Sequence, residues 1–243
     1  MNIVGIIPAR YASSRFPGKP LIDLKGKTMI QRVYEGVKKS KQLDRVIVAT
    51  DDQRIVDSVK SFGGEVMMTD EAHTTGTDRC GEVAASIDAD IVINIQGDEP
   101  LVDYRQIDQL CAAFNDENVN IATLGIKSVS KEELANPNRI KIVLNNNNDA
   151  LYFSRSAIPN TVNGNQEAIA QHDFFRHIGV YAFRKQTLGE LVRLKPTVLE
   201  KVESLEQLRW LYHGYSIRVM ETDIETPNID VPDDVQSVLR ELK

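Results

Sequence analysis

RVIVATDDQRIVDSVKSFG, residues Arg45–Gly63, carries a complete strand–turn–helix unit. After Arg45 the first residues are apolar or β-branched with no polar alternation, the pattern of a strand buried on both faces. Asp51 or Asp52 then stands where a helix N-cap is expected. Ile55, Val56, Val59 and Phe62 recur at helical spacing, and glycines stop the helix. A strand buried on both faces needs helices on both sides, so this unit predicts a mostly parallel sheet in an α/β protein.

The alternation repeats outward from it. IVGII (Ile3–Ile7) reads as a strand, and Met29, Ile30, Val33, Tyr34 and Val37 mark a helix. EVMMT (Glu65–Thr69) is a third strand. A helix through Cys80–Ile87 leads to DIVINIQ (Asp90–Gln96), the strongest strand signal in the chain. Ile107, Leu110, Cys111 and Phe114 mark another helix and NIATLGI (Asn120–Ile126) another strand. The pattern then changes. RIKIVLNNNNDALYFSR (Arg139–Arg155) predicts two strands around an Asn-rich turn. Pro159–Asp173 reads as a polar loop and HIGVYAFR (His177–Arg184) as a strand. A short helix from about Gln186, a longer one around Leu199–Tyr212, a late strand SIRVMET and a closing helix DDVQSVLREL complete the chain. The expectation is a single domain over residues 1–243, Rossmann-like and doubly wound, with a smaller β-rich excursion inserted at about 135–190.

A chain of 243 residues with 42% hydrophobic and 26% charged residues buries a core without staples. Its net charge of −6 argues against a general nucleic-acid or membrane-surface binder. Cys80 and Cys111 have no metal or redox spacing and read as reduced thiols. The start MNIVGIIPA lacks a charged leader region, and its apolar run is too short to span a bilayer, so a cytoplasmic protein is expected.

Ligands of open α/β sheets collect beyond the carboxyl ends of the strands. PARYASSRFPGK follows the first strand there, with Arg10, Arg15 and Lys19 among small residues and no acid. Backbone N–H groups of such a turn can cradle phosphate oxygens while the cations neutralise them. It is not a Walker A loop, because Ser13 stands in place of the first glycine and Pro20 in place of the closing Ser or Thr. No G-x-G-x-x-G occurs, which disfavours a dinucleotide-dependent dehydrogenase. QGDEP places Asp98 just past a buried strand, where a carboxylate suits Mg2+, and Asp230 in NIDVPDD could supply a second. Each acid alone is equally well a turn acid or a helix-start acid. In TTGTDRC, Gly76 permits close backbone approach and Arg79 could donate to a base edge; an ordinary helix start capped by Thr77 explains it too. Arg155, His177, Tyr181, Glu206 and Gln207 form a separate polar set suited to a hydroxyl-rich acid. His172 and His177 lack zinc spacing. Trp210 reads as packing and Glu203 as solvated helix surface.

IIPARYASSRFPGKPL, VATDD, GTDR, NIQGDEP, LYFSRSAIP, HIGVYAFR and ESLEQLRWL occur in this order. In sequence and spacing they resemble the 3-deoxy-manno-octulosonate cytidylyltransferases, the CMP-KDO synthetases, over essentially the whole chain. The resemblance implies Mg2+-dependent transfer of CMP from CTP to 3-deoxy-D-manno-octulosonate (KDO), with release of pyrophosphate, for lipopolysaccharide core biosynthesis. It implies that Arg10, Ser14, Arg15 and Lys19 hold the triphosphate, with Arg15 and Lys19 stabilising its charge in catalysis. Gly76 and Arg79 would hold cytosine, and Asp98 and Asp230 would bind metal. Gln96, Arg155, His177, Tyr181, Glu206 and Gln207 would hold the sugar acid. Family members are homodimers paired through the region after the main sheet. Three positions depart from the usual pattern: Asn228 replaces Gly, Val231 replaces Thr, and Asp78 stands where many members carry Glu. The rival substrates are other acid sugars, an 8-amino-KDO or a sialic acid; a non-catalytic nucleotide-binding module is the rival class.

Overall fold

The structure, a computed structural model, describes residues 1–12, 16–128 and 130–242. Strand β1 (Ile3–Ala9) pairs in parallel with β2 (Arg45–Thr50) on one side and β4 (Ile91–Asn94) on the other; β3 (Glu65–Met68) extends the β2 side. The sheet continues past β4 with β8 (Phe174–Arg184), β5 (Ile121–Ser128) and β9 (Arg218–Glu221), in the order β3-β2-β1-β4-β8-β5-β9. β8 runs antiparallel between β4 and β5, while β9 is parallel to β5. The late HIGVYAFR strand therefore enters the middle of the doubly wound sheet with reversed direction. β6 (Lys141–Leu144) and β7 (Ala150–Ser154) form the hairpin expected around the Asn-rich turn, and Lys141 of β6 pairs with Arg176 of β8.

Helices cover both faces, as the uniformly apolar strands require. On one face α1 (Met29–Val37), α2 (Gln53–Ser61) and α4 (Tyr104–Ala113) bury Ile30, Val33, Ile55, Ile107 and Leu110 against Ile7 and Ile93. On the other, α3 (Gly76–Ser86), α7 (Lys185–Leu191) and α9 (Gln207–Tyr212) bury Cys80, Val83, Leu188 and Trp210 against Ile6, Val92 and Phe183. Each such side chain contributes about 1.5–3 kcal/mol by leaving water. A third cluster joins Ile229, Val238 and Leu242 to Leu24 and Met29. It docks α10 (Asp234–Glu241), and the loop before it, onto the segment that follows β1.

Four local expectations change. α3 begins at Gly76 rather than near Cys80, and its cap is Thr75, not Thr77: Thr75 and Asp78 close a reciprocal capping box. The long helix expected over Leu199–Tyr212 is two, α8 (Val198–Glu203) and α9, because Ser204 between them is left-handed at φ 53°. The Pro159–Asp173 segment contains a short helix, α6 (Gln166–Gln171). Another, α5 (Lys131–Ala135), had no counterpart in the sequence pattern. No helix among the described residues is long and apolar enough to cross a membrane.

Candidate active site

The chain leaves β1 toward β2 on one side and returns to β4 on the other, so the carboxyl ends of β1 and β4 diverge at a topological switch point. A cleft of about 230 Å³ opens there, lined by Pro8–Arg10, Lys19, Thr74–Gly76, Arg79 and Gln96–Asp98. Gly97 makes the approach possible: a Cβ on it would sit 2.7 Å from the Pro8 carbonyl oxygen. At the other end of the cation-bearing loop, Gly18 is left-handed at φ 72° and its N–H donates to the Tyr11 carbonyl at 2.9 Å. That hydrogen bond closes the loop. Ser14 and Arg15 lie outside the described residues.

Lys19 is the centre of the arrangement. Its ammonium donates to Asp98 Oδ2 at 2.8 Å and to the Ile229 carbonyl at 2.8 Å, and lies 3.9 Å from Asp230 Oδ1. Asp98 and Asp230, 132 residues apart by number, thus converge on one cation. The convergence is built by the backbone, for Ile229 N–H donates to the Asp98 carbonyl at 2.9 Å. Asp234 then accepts the N–H groups of Asp230 (2.8 Å) and Val231 (2.9 Å). Asn228, the residue in place of Gly, donates to Asp230 Oδ2 at 3.2 Å. No cluster of three or more His, Cys, Asp or Glu with metal-site geometry occurs among the described residues. Two carboxylates around a cation position are nevertheless a fitting donor set for Mg2+, which takes its other ligands from phosphate and water. Beside Asp98, Glu99 is buried, accepts from Thr226 Oγ1 at 2.9 Å and has its pKa pushed up to about 7 by that burial and by the Asp98 charge.

The wall expected to hold the nucleotide differs from expectation. Arg10 is exposed on it, and Gly76 opens the first turn of α3 there. Arg79, by contrast, is 3% exposed, and its guanidinium is committed to Asp51 Oδ2 at 2.7 Å, to Thr69 Oγ1 and to the Asp70 carbonyl at 3.4 Å. A buried guanidinium without a carboxylate partner would be costly. Arg79 therefore ties α3 to the ends of β2 and β3 instead of presenting a free fork to a base edge.

Part of the second polar set gathers around β8. Gln96 Nε2 donates to the Gly179 carbonyl at 2.9 Å, bridging the cleft floor to that strand. His177 Nε2 meets Thr123 Oγ1 at 2.9 Å, and its ring lies 5.2 Å from both Phe153 and Tyr181. Burial, with a contribution from Arg176, pushes the imidazole pKa down to about 3, so it is neutral at physiological pH. Among the described residues Tyr181 Oη is buried without a hydrogen-bond partner, as is Oδ1 of Asn94, its register partner on β4. Glu206 Oε2 accepts from Thr77 at 2.7 Å at the head of α3, and burial raises its pKa. Gln207 is buried beside it at the start of α9. Arg155 is half-buried at the exit of β7 and donates to the carbonyls of Glu203, Pro137 and Ser204. Glu203 is not solvated surface: it accepts from Ser154 Oγ at 2.7 Å and from the Arg155 N–H at 3.0 Å. The sequence reading passed over Thr123, Asn94 and Lys141. A polar residue inside an otherwise apolar strand, as in NIATLGI and DIVINIQ, was the available signal.

The family model described as cytidylyltransferase matches residues 4–221. The 3-deoxy-manno-octulosonate cytidylyltransferase of Parabacteroides distasonis is 52% identical, covering 98% of this chain and 97% of its own length. That of Bacteroides thetaiotaomicron is 50% identical over 100% and 99%. Among solved structures, a CMP:2-keto-3-deoxy-manno-octonic acid synthetase complexed with CTP superposes with a TM-score of 0.93 at 42% identity, over 99% of this chain and 98% of that one. The 4-diphosphocytidyl-2C-methyl-D-erythritol synthase of Anaerococcus prevotii shares the fold, with a TM-score of 0.64 at 14% identity over 99% and 97%.

Proposed function

Because this chain belongs to the cytidylyltransferase family, and within it to the 3-deoxy-manno-octulosonate cytidylyltransferases, we infer that it transfers CMP from CTP to KDO and releases pyrophosphate. The product is the activated sugar for the lipopolysaccharide core. The observation that carries the reading is the convergence of Lys19, Asp98 and Asp230 at the switch-point cleft, in a chain similar end to end to these enzymes.

The anomeric hydroxyl of KDO attacks the α-phosphorus of CTP. A new P–O bond forms there as the hydroxyl's O–H bond breaks and its proton passes to solvent; the bond to the bridging oxygen of the β-phosphate breaks, and that electron pair leaves with pyrophosphate. Such a transfer is catalysed mainly by positioning and charge neutralisation. Arg10 and Lys19, with Ser14 and Arg15 of the same loop, hold the triphosphate and stabilise charge as it moves onto the leaving group. Gly76 leaves room for the nucleotide at the first turn of α3, and Arg79 braces that wall. Asp98 and Asp230 would hold Mg2+. Bound there, it supplies further charge neutralisation and lowers the pKa of the attacking hydroxyl. Gln96, Arg155, His177, Tyr181, Glu206 and Gln207 receive the sugar acid. The neutral His177 serves as a hydrogen-bond partner, and the charge for the substrate carboxylate comes from Arg155.

The protein works as a homodimer. Val198 and Val202, one turn apart on α8, are 78% and 77% exposed, and Leu151 of β7 and Tyr212 of α9 are exposed too. Apolar side chains gathered on two short helices and a hairpin favour a second copy. The buried free thiols Cys80 and Cys111 fit a cytoplasmic setting. The test is turnover itself: purified protein given CTP, KDO and Mg2+ releases pyrophosphate and forms CMP-KDO, and EDTA stops it. No product with KDO under these conditions refutes the assignment.

A further inference from the structure

Lys141 is 1% exposed and has no part in the chemistry so far described. Its ammonium donates to the Asn136 carbonyl at 2.9 Å and to the Arg155 carbonyl, and among the described residues no carboxylate forms an ion pair with it. Taking an ammonium out of water is expensive, and burial lowers its pKa accordingly. What the buried charge holds is the main chain of one arginine. On the other side of that residue, the Glu203 carboxylate accepts the Arg155 N–H at 3.0 Å. Both main-chain polar groups of Arg155 thus end on charged side chains, one from β6 and one from the end of α8.

The guanidinium is aimed as well. Nε donates to the Glu203 carbonyl at 2.8 Å, Nη1 to Pro137 at 3.0 Å and Nη2 to Ser204 at 3.3 Å. All three acceptors are neutral carbonyls, so the positive charge is not spent on a protein acid. Of the five N–H groups of an arginine, one remains on each terminal nitrogen. Two N–H groups are what a bidentate carboxylate needs. The segments Arg155 joins reach three other members of the sugar-side set: Phe153 touches His177, and Ser204 leads into Glu206 and Gln207.

We propose that Lys141 and Glu203 are positioning residues for the sugar acid, gripping the main chain of Arg155 from both sides so that its guanidinium fork is fixed for the substrate carboxylate. The proposal rests on the assignment of Arg155 to the sugar side of the cleft. Pyrophosphate-release kinetics on the full-length protein separate the two. Arg155→Ala raises the KM for KDO and leaves the KM for CTP unchanged. Lys141→Met and Glu203→Ala each raise the KM for KDO by about tenfold or more with the CTP value within about twofold. Glu203→Gln, which keeps an acceptor oxygen, recovers part of the loss and serves as the test where Lys141→Met does not fold. The double variant Lys141→Met/Arg155→Ala is no worse for KDO than Arg155→Ala alone. If Arg155→Ala shows the KDO effect while folded Lys141 and Glu203 variants do not, or if they raise both KM values together, the positioning role is wrong. If Arg155→Ala leaves the KM for KDO unchanged, the assignment of Arg155 itself falls.

Discussion

At the scale of single residues, Lys19 decides most. Its ammonium sits between two carboxylates and beside the cleft, and in the proposed reaction it would serve both the electrostatics of the site and the triphosphate. Lys19→Met should lower kcat by about 10²–10³, the loss expected for one preorganised donor to developing charge. Steady-state turnover with the variant's melting temperature as a control measures it. His177 makes the opposite kind of prediction. Its unfolded-state pKa of 6.5 falls to about 3 in the folded protein. Between those values the unfolded chain takes up a proton that the folded protein refuses. This contribution to stability is complete above pH 6.5 and is lost as pH falls toward 3, by at most about 1.4 kcal/mol per pH unit. Urea unfolding at neutral and mildly acidic pH should show a shallower loss in His177→Gln than in the wild type. Lys19, Asp98 and Asp230 were legible as candidates in the sequence because each is a polar residue outside the strands and long helices, next to a buried element. The commitment of Arg79 to Asp51, and that of Glu203 to Arg155, were not. Each partner lies 28 or 48 residues away, and only the sheet brings them together.

At the scale of elements, strands and long amphipathic helices followed directly from hydrophobic period, since β1, β2, β4, α1, α2 and α4 each bury a face the sequence announces. Short elements did not. The break at Ser204 depends on a left-handed residue that is not glycine, held where Arg155 donates to the carbonyls of Glu203 and Ser204. No local pattern carries that information. The turn before α10 is a similar case, and it yields a prediction. Asp234 holds the backbone of Asp230 and Val231, so Asp234→Ala frees the loop that aims Asp230. The Mg2+ concentration for half-maximal activity should rise several-fold, while thermal stability falls by about 1 kcal/mol, the net worth of a lost hydrogen bond. Metal titration of activity beside a thermal melt distinguishes this from general unfolding.

At the scale of the whole molecule, the α/β class and the edge of the sheet that carries the site were legible, but the antiparallel insertion of β8 was not. That strand reads alone like any other; its direction shows only in its antiparallel pairing with β4 and β6. The insertion matters for the proposed function, because it places His177 and Tyr181 next to the Gln96 end of the cleft, where the proposed sugar residues would meet the nucleotide. The assembly prediction belongs here too. Val202→Glu in the exposed patch should shift the protein from dimer to monomer in sedimentation velocity. The central claim, CMP transfer to one acid sugar, is tested most directly by profiling kcat/KM for pyrophosphate release, with CTP and other nucleoside triphosphates, against KDO, its 8-amino analogue and a sialic acid in the presence of Mg2+. CTP with KDO should give the highest value by at least about tenfold, with no turnover after EDTA; a higher value for another nucleotide or another acid would contradict it.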